Sequence, residues 1–283
     1  MIINRICVCG AGTMGSGIAQ AASQAGFSTL LYELNPVVLD NAKTSIGKNL
    51  QTLVDKGKMP AADKETVLQR IHFTDDIQTC LADVFIEAIV EKTEIKIVLF
   101  NQLAELNHSE CIFASNTSSL SISSIAANVQ CPQRVIGMHF FNPATIMKLV
   151  EVVNTPFTNA VTTETVIDLA KQMGKTPVLC KDSPGFIVNR VARPYYIESL
   201  RMVEGGLTNF EQADRLLEAT GFKMGPFKLM DLIGNDVNYA VSCSVYEQLN
   251  KTERLKPSYI QEKKVKEGKL GKKSREGYYM YNS

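Results

Sequence analysis

A doubly wound α/β sheet followed by an all-helical C-terminal domain is the fold this chain predicts, on three observations. The first is Gly10-x-Gly12-x-x-Gly15, which closes a short apolar run and opens a helix-like segment. The second is the alternation of strand-like and helix-like segments as far as Asp182, the pattern of a largely parallel sheet. The third is the change to helical spacing after Lys181-Asp182-Ser183-Pro184-Gly185, where Ser183 can cap a helix with Pro184 at its first position. The expected domains are therefore residues 1–182 and 183–283.

The first element is the apolar run at residues 5–9. Gly10 permits the tight turn out of it, Gly12 lets a pyrophosphate approach the backbone, and Gly15 lets the helix lie close on the sheet. Thr13 and Met14 belong to the same turn, whose N–H groups and helix dipole would face phosphates. A second apolar run, 27–32, ends in Glu33, eighteen residues past Gly15. An acidic residue there accepts hydrogen bonds from a ribose diol. No arginine follows in the next several positions, which favours NAD over NADP. Gly10, Gly12, Thr13, Met14, Gly15 and Glu33 are the expected cofactor contacts.

After the turn Asn35-Pro36, residues 37–54 have helical periodicity, with Gly57 as a stop. A short helix at 63–69 precedes a strand at 70–73. This excursion carries Lys48, Lys56 and Lys58, either as a solvated basic face or as a binding surface. Further strands are expected at 83–90, 111–114, 134–138, 147–153 and 176–180, with helices at 94–106 and 162–173. Beyond the boundary the helices are 186–204, kinked at Pro194, then 210–220 and 234–247. The tail, 263–273, reads as basic and exposed. There is no solenoid repeat.

Among the 283 residues, 45% are hydrophobic and 21% charged, the balance of a soluble globular protein. A net charge of +1 gives no overall pull towards nucleic acid or a membrane surface. No apolar run approaches the roughly 20 residues needed to span a bilayer. Met1 leads almost directly into the first strand, so no signal peptide is expected. The seven cysteines form no C-x-x-C pair, and Cys7 and Cys9 share one strand face as small hydrophobes. Reduced thiols in a cytoplasm, with no metal site, are the expectation.

Ligands of an open α/β sheet bind beyond the carboxyl ends of its strands. Gly10, Glu33, Glu91, residues 115–118 and His139 all fall at such ends. On the residues alone His139 is either a structural imidazole or the proton acceptor for an alcohol being oxidised. Glu151, on the next strand, is either an exposed carboxylate or the partner that holds one ring nitrogen.

Five motifs occur in order: Gly10-Ala11-Gly12-Thr13-Met14-Gly15, Ser115-Asn116-Thr117-Ser118-Ser119, His139-Phe140-Phe141-Asn142-Pro143, Lys148-Leu149-Val150-Glu151-Val152, and Asp182-Ser183-Pro184-Gly185-Phe186-Ile187-Val188-Asn189-Arg190. With Met224-Gly225-Pro226-Phe227 and Gly277-Tyr278-Tyr279, they make the chain resemble the 3-hydroxyacyl-CoA dehydrogenase family along essentially its whole length, and most of all its short bacterial 3-hydroxybutyryl-CoA members. The resemblance implies a Rossmann-like nucleotide domain and reversible, NAD-dependent oxidation of (S)-3-hydroxyacyl-CoA to 3-oxoacyl-CoA. It implies His139 as catalytic base, Glu151 as its partner, Ser118 as the hydroxyl holding substrate near the nicotinamide, and Asn189 as a second-domain amide. Asn142 is a further substrate-side and cofactor candidate. On the cofactor side the match reaches Glu91, Lys96, Ser118 and Lys273. Lys56 falls where the family contacts coenzyme A.

Departures are few. Glu33 replaces the aspartate common in relatives, Lys92 an asparagine and Arg275 a glycine, and Asn49 stands where some relatives have serine, so no role is assigned to it. Two other readings compete: a dehydrogenase of a non-CoA hydroxy acid such as a sugar acid, and a non-catalytic NAD-binding protein of crystallin type. The resemblance also implies a homodimer through the C-terminal domain.

Overall fold

The computed structural model describes residues 1–281 and divides into two units, Met1–Asp182 and Ser183–Ser283. The last two residues of the expected second domain, Asn282 and Ser283, lie outside the described residues.

The apolar runs of the first unit become strands: β1 (Arg5–Cys9), β2 (Ser28–Tyr32), β3 (Ile71–Thr74), β4 (Val84–Glu87), β5 (Ile112–Ser115), β6 (Val135–Phe140), β7 (Leu149–Asn154) and β8 (Thr176–Lys181). The helices between them are α1 (Thr13–Gln24), α2 (Pro36–Asp55), α3 (Ala61–Gln69), α4 (Thr93–Leu106), α5 (Ile122–Ala126) and α6 (Ala160–Gln172). The strands form one sheet in the order β3-β2-β1-β4-β5-β6-β7-β8. Chain direction reverses once, between β6 and β7, which pair antiparallel; every other neighbouring pair is parallel. Only residues 141–148 separate β6 from β7, too few for the dozen or so that a parallel crossover needs.

Side chains alternate across each strand, so the sheet buries two faces. Ile6, Val8, Ile136, Met138, Phe140, Val150 and Val152 pack with Ile18 and Ala22 of α1, Ile46 and Leu50 of α2, and Leu169 of α6. On the opposite side, Phe113 stacks on Phe85 and tilts against Phe100 of α4. Cys7 and Cys9 are fully buried, their sulfurs 3.9 Å apart, as the shared strand face requires. All seven cysteines are free, and no metal-holding cluster occurs among the described residues.

The second unit is helical: α7 (Val188–Glu204), α8 (Phe210–Ala219), α9 (Pro226–Ile233), α10 (Asn235–Gln248) and α11 (Tyr259–Lys266). α7 starts two residues later than expected, because Gly185 and Phe186 have positive φ of 74° and 48°. It then runs on through Pro194. The tail carries exposed Lys263, Lys266, Lys272 and Lys273, as expected, but it is ordered rather than a bare strip. Its first part is α11, Lys264 donates to Gly277 O, Lys269 bridges Glu267 and Glu276, and Lys273 pairs with Asp236. Two buried aspartates organise this unit. Asp231 accepts from the backbone N–H groups of Tyr278 and Tyr279, and Asp214 from those of Phe227 and Lys228 and from Tyr279 Oη. A Cβ on Gly277 would lie 2.0 Å from Asp231 Oδ1, so the Gly277-Tyr278-Tyr279 motif is a packing requirement. No helix among the described residues is long and apolar enough to cross a membrane.

Candidate active site

The glycine turn is built as its spacing requires. Gly10 has φ of 98°, and its N–H donates to Tyr32 O at 2.8 Å. A Cβ on Gly15 would lie 1.7 Å from Gly10 O, which is why α1 can sit so close to β1. Gly12 differs: nothing lies within 4 Å of where its Cβ would be. It is the N-cap of α1, with no side-chain cap on the first turn. Open space in front of uncapped N–H groups at a helix N-terminus suits a pyrophosphate.

Glu33 ties this turn to the end of β2. Its Oε2 accepts from Ala11 N at 3.0 Å and its Oε1 from Asn35 N at 3.1 Å. A carboxylate has about four acceptor sites, so about two remain for a ribose diol. A 2′-phosphate would meet this carboxylate instead. NADH is therefore expected to outperform NADPH by at least about tenfold in kcat/KM, an effect of about 1.4 kcal/mol. Steady-state rates with the two cofactors check this, and equal use would remove the role given to Glu33.

A buried ionic cluster follows at the ends of β4 and β5. Lys96 of α4, 1% exposed, sits between Glu87, which is fully buried, and Glu91, whose Oε2 lies 3.1 Å from Nζ. Glu87 also accepts from Ser115 Oγ at 2.7 Å and Ile89 N at 2.8 Å. Burial pushes the Glu87 carboxyl up against the pull of Lys96. At Glu91 burial also acts upwards, but Lys96 with Thr117 and Ser119 outweighs it and holds the carboxyl below its ordinary value. Glu91 Oε1 accepts from Thr117 Oγ1 and from Ser118 N, so this cluster fixes the turn that carries Ser118.

His139 and Glu151 face each other directly across the antiparallel pair β6–β7. Residues opposite on paired strands share a face, and His139 Nδ1 lies 2.8 Å from Glu151 Oε2. The imidazole is 6% and the glutamate 1% exposed. Phe141 packs against the ring, with centroids 4.6 Å apart. Asn116 Oδ1 accepts from Phe140 N at 2.8 Å, which holds the end of β5 to the strand bearing His139.

A cleft of about 310 Å³ opens beside the glycine turn, lined by Gly12, Thr13 and Ser16, by Asn41, Ser45 and Asn49 of α2, and by Asn142 to Thr145. Among the described residues no charged side chain lines it. Asn41, Ser45 and Asn49 recur every four residues along one helical stripe, beside the buried stripe Ala42, Ile46 and Leu50. The sequence shows that polar stripe, Asn49 included, but marks no role for it. Glu87 and Asn116 are functional-site residues that the sequence alone does not single out.

The structure thus brings together Gly10, Gly12, Thr13, Met14, Gly15 and Glu33; Glu91, Lys96 and the backbone of Ser118; and His139 with Glu151. Asn142 shares the cleft with the glycine turn. Lys56 is exposed at the C-cap of α2 and is not among the residues lining the cleft. In the second unit, half-buried Asn189 lies in the first turn of α7, its carbonyl accepting from Arg193 Nε at 3.0 Å. Lys273 Nζ there lies 2.6 Å from Asp236 Oδ1.

Residues 5–183 match the model of the 3-hydroxyacyl-CoA dehydrogenase NAD-binding domain, and residues 185–281 that of the C-terminal domain of the same family. The 3-hydroxyadipyl-CoA dehydrogenase of Escherichia coli is 46% identical over 99% of this chain, which spans 60% of that relative's length. The 3-hydroxybutyryl-CoA dehydrogenase of Clostridioides difficile is 39% identical over 98% of this chain and 99% of its own. Among solved structures, (S)-3-hydroxybutyryl-CoA dehydrogenase from Ralstonia eutropha superposes with a TM-score of 0.94 at 34% identity, covering 100% of both chains.

Proposed function

This chain belongs to the 3-hydroxyacyl-CoA dehydrogenase family, and from that premise we propose that it oxidises short-chain (S)-3-hydroxyacyl-CoA, 3-hydroxybutyryl-CoA above all, to the 3-oxoacyl thioester in a reversible reaction. The buried His139–Glu151 pair carries this reading, because it supplies a proton acceptor on the sheet whose β1 ends in the dinucleotide turn. Bound NAD⁺ supplies the hydride acceptor, and the glycine turn and Glu33 have the room and the hydrogen-bonding groups to hold it.

The chain's own part is positioning and proton transfer. With Nδ1 held by Glu151, Nε2 of His139 takes the hydroxyl proton as the carbinol carbon gives up its hydride. Glu151 keeps the ring in one orientation and balances the imidazolium that forms. The Ser118 hydroxyl and the Asn189 amide are assigned to the substrate oxygens. Glu91 and Lys96 steady the Ser118 turn and, with Lys273, serve the cofactor. Asn142 serves the cleft wall. We place the protein in the cytoplasm on its unpaired cysteines, and as a homodimer on the exposed Val191, Leu216 and Val237 of the second unit.

Lys56 is assigned to an ADP phosphate of coenzyme A. It follows Asn49 by seven residues, at the C-cap of α2, in the basic segment with Lys58. Lys56→Ala is expected to raise KM for acyl-CoA severalfold with kcat nearly unchanged, the signature of lost uniform binding. An acyl-pantetheine lacks that phosphate and should not respond to the change. Equal loss with both substrates would make Lys56 structural.

The reading as a whole is tested by kcat/KM for 3-oxoacyl-CoA substrates of four to sixteen carbons with NADH, including 3-oxoadipyl-CoA. A maximum at four carbons supports the short-chain assignment. A maximum at the dicarboxylate or at long chains overturns it, and no turnover of any thioester overturns the activity.

A further inference from the structure

We propose that Lys175 is a positioning residue whose ammonium clamps the turn at residues 143–147 and thereby shapes the cleft wall that meets acyl-CoA; the second half of this rests on the function proposed above. Lys175 stands between two rigid elements. α6 ends with Gly174 at φ 70°, Lys175 N–H donates back to Ala170 O at 2.9 Å, and Thr176 N–H then donates to Lys148 O at 2.7 Å as β8 begins. The backbone under the side chain is therefore fixed by a helix end and a strand start.

From there Nζ reaches the turn and donates to Ala144 O and, at 3.0 Å, to Met147 O. The turn has little else of its own. Ile146 N and Met147 N both donate to Pro143 O, and Ala144 is buried, lying against α1 where a Cβ on Gly17 would meet its own Cβ at 3.3 Å. An ammonium has three donors and no acceptor, so it can pin two carbonyls at once. Partial burial pulls the Lys175 pKa down, as expected of a cation paired with carbonyl dipoles alone. Asn142, Pro143, Ala144 and Thr145 line the cleft opposite α2. Lys175 thus acts on substrate binding through the wall, at a distance from the proton transfer.

The test uses the full chain and two variants. Lys175→Met keeps the stem without the donors, and Lys175→Arg keeps donors at a similar reach. Hydrogen–deuterium exchange on the free protein should show faster exchange at the amides of Ile146 and Met147 in Lys175→Met, with protection retained in Lys175→Arg. KM for acyl-CoA should rise about tenfold in Lys175→Met, the worth of hydrogen bonds to a charged donor, with kcat changed less than about threefold and restored by arginine. Unchanged exchange in Lys175→Met overturns the clamp. Faster exchange with KM unmoved, or a fall in kcat alone, overturns its link to the cleft. Wild-type protein inactive on every acyl-CoA would sink the proposed function and with it that link, while exchange still decides the clamp.

Discussion

His139→Gln is expected to lower kcat by about 10²–10⁴-fold, the usual worth of a positioned general base, and to leave NADH binding little changed. Glutamine keeps a polar side chain in the buried slot beside Phe141, but it cannot carry a proton. Both directions should suffer, because oxidation needs the neutral imidazole and reduction of the 3-oxo thioester needs the imidazolium. Glu151→Gln removes the charge that sits 2.8 Å from Nδ1, so it should also lose activity in both directions while NADH binding holds. Stopped-flow rates in both directions, with fluorescence titration of NADH, check all three points. Near-normal turnover in His139→Gln would place the base elsewhere, and near-normal turnover in Glu151→Gln would reduce Glu151 to a strand carboxylate.

The largest expected effect on stability separates two glycines of one motif. In Gly15→Ala the new Cβ would stand 1.7 Å from Gly10 O, a backbone atom with no freedom to withdraw. α1 must lift off β1, at about 3 kcal/mol or more. At about 2–4 °C per kcal/mol for a domain of this size, Tm should fall by about 6–12 °C. In Gly12→Ala the Cβ meets nothing within 4 Å, and φ is an ordinary −66°. Its Tm should hold, while KM for NAD rises by about tenfold or more because the methyl occupies the approach of the pyrophosphate. Thermal melts without nucleotide, paired with NAD titrations, distinguish the two. Parallel losses of Tm would mean that the open space at Gly12 is filled by protein.

How far the sequence speaks depends on whether a feature is local. The glycine turn, Glu33 at its spacing, His139 at the end of one apolar run and Glu151 inside the next are all written in short stretches, and each stands where its stretch places it. The reversal between β6 and β7 was also legible, in the eight residues between them, although alternation of strands and helices alone suggests a parallel neighbour. Glu87 was not legible. A single glutamate ending Val84-Phe85-Ile86 reads as a strand end, and its meaning comes from Lys96, which reaches it from the next helix. Lys175 is similar, a lysine after a helix stop until the carbonyls of Ala144 and Met147 are seen beneath it. α11 is not legible either, because Glu262, Lys263, Lys264 and Lys266 crowd a helix with little apolar period.

The antiparallel register of β6 and β7 separates two properties that enzymes often entangle. His139 and Glu151 are opposed because strand pairs Gly137–Val153 and Phe140–Val150 hold them so, whatever the chain does between Phe141 and Lys148. The connection can therefore lengthen, shorten or change its residues and reshape the cleft wall it forms while His139 and Glu151 stay opposed. On the function proposed above, selection, or an engineer, can retune which thioester is accepted by editing one hairpin connection, without renegotiating the chemistry.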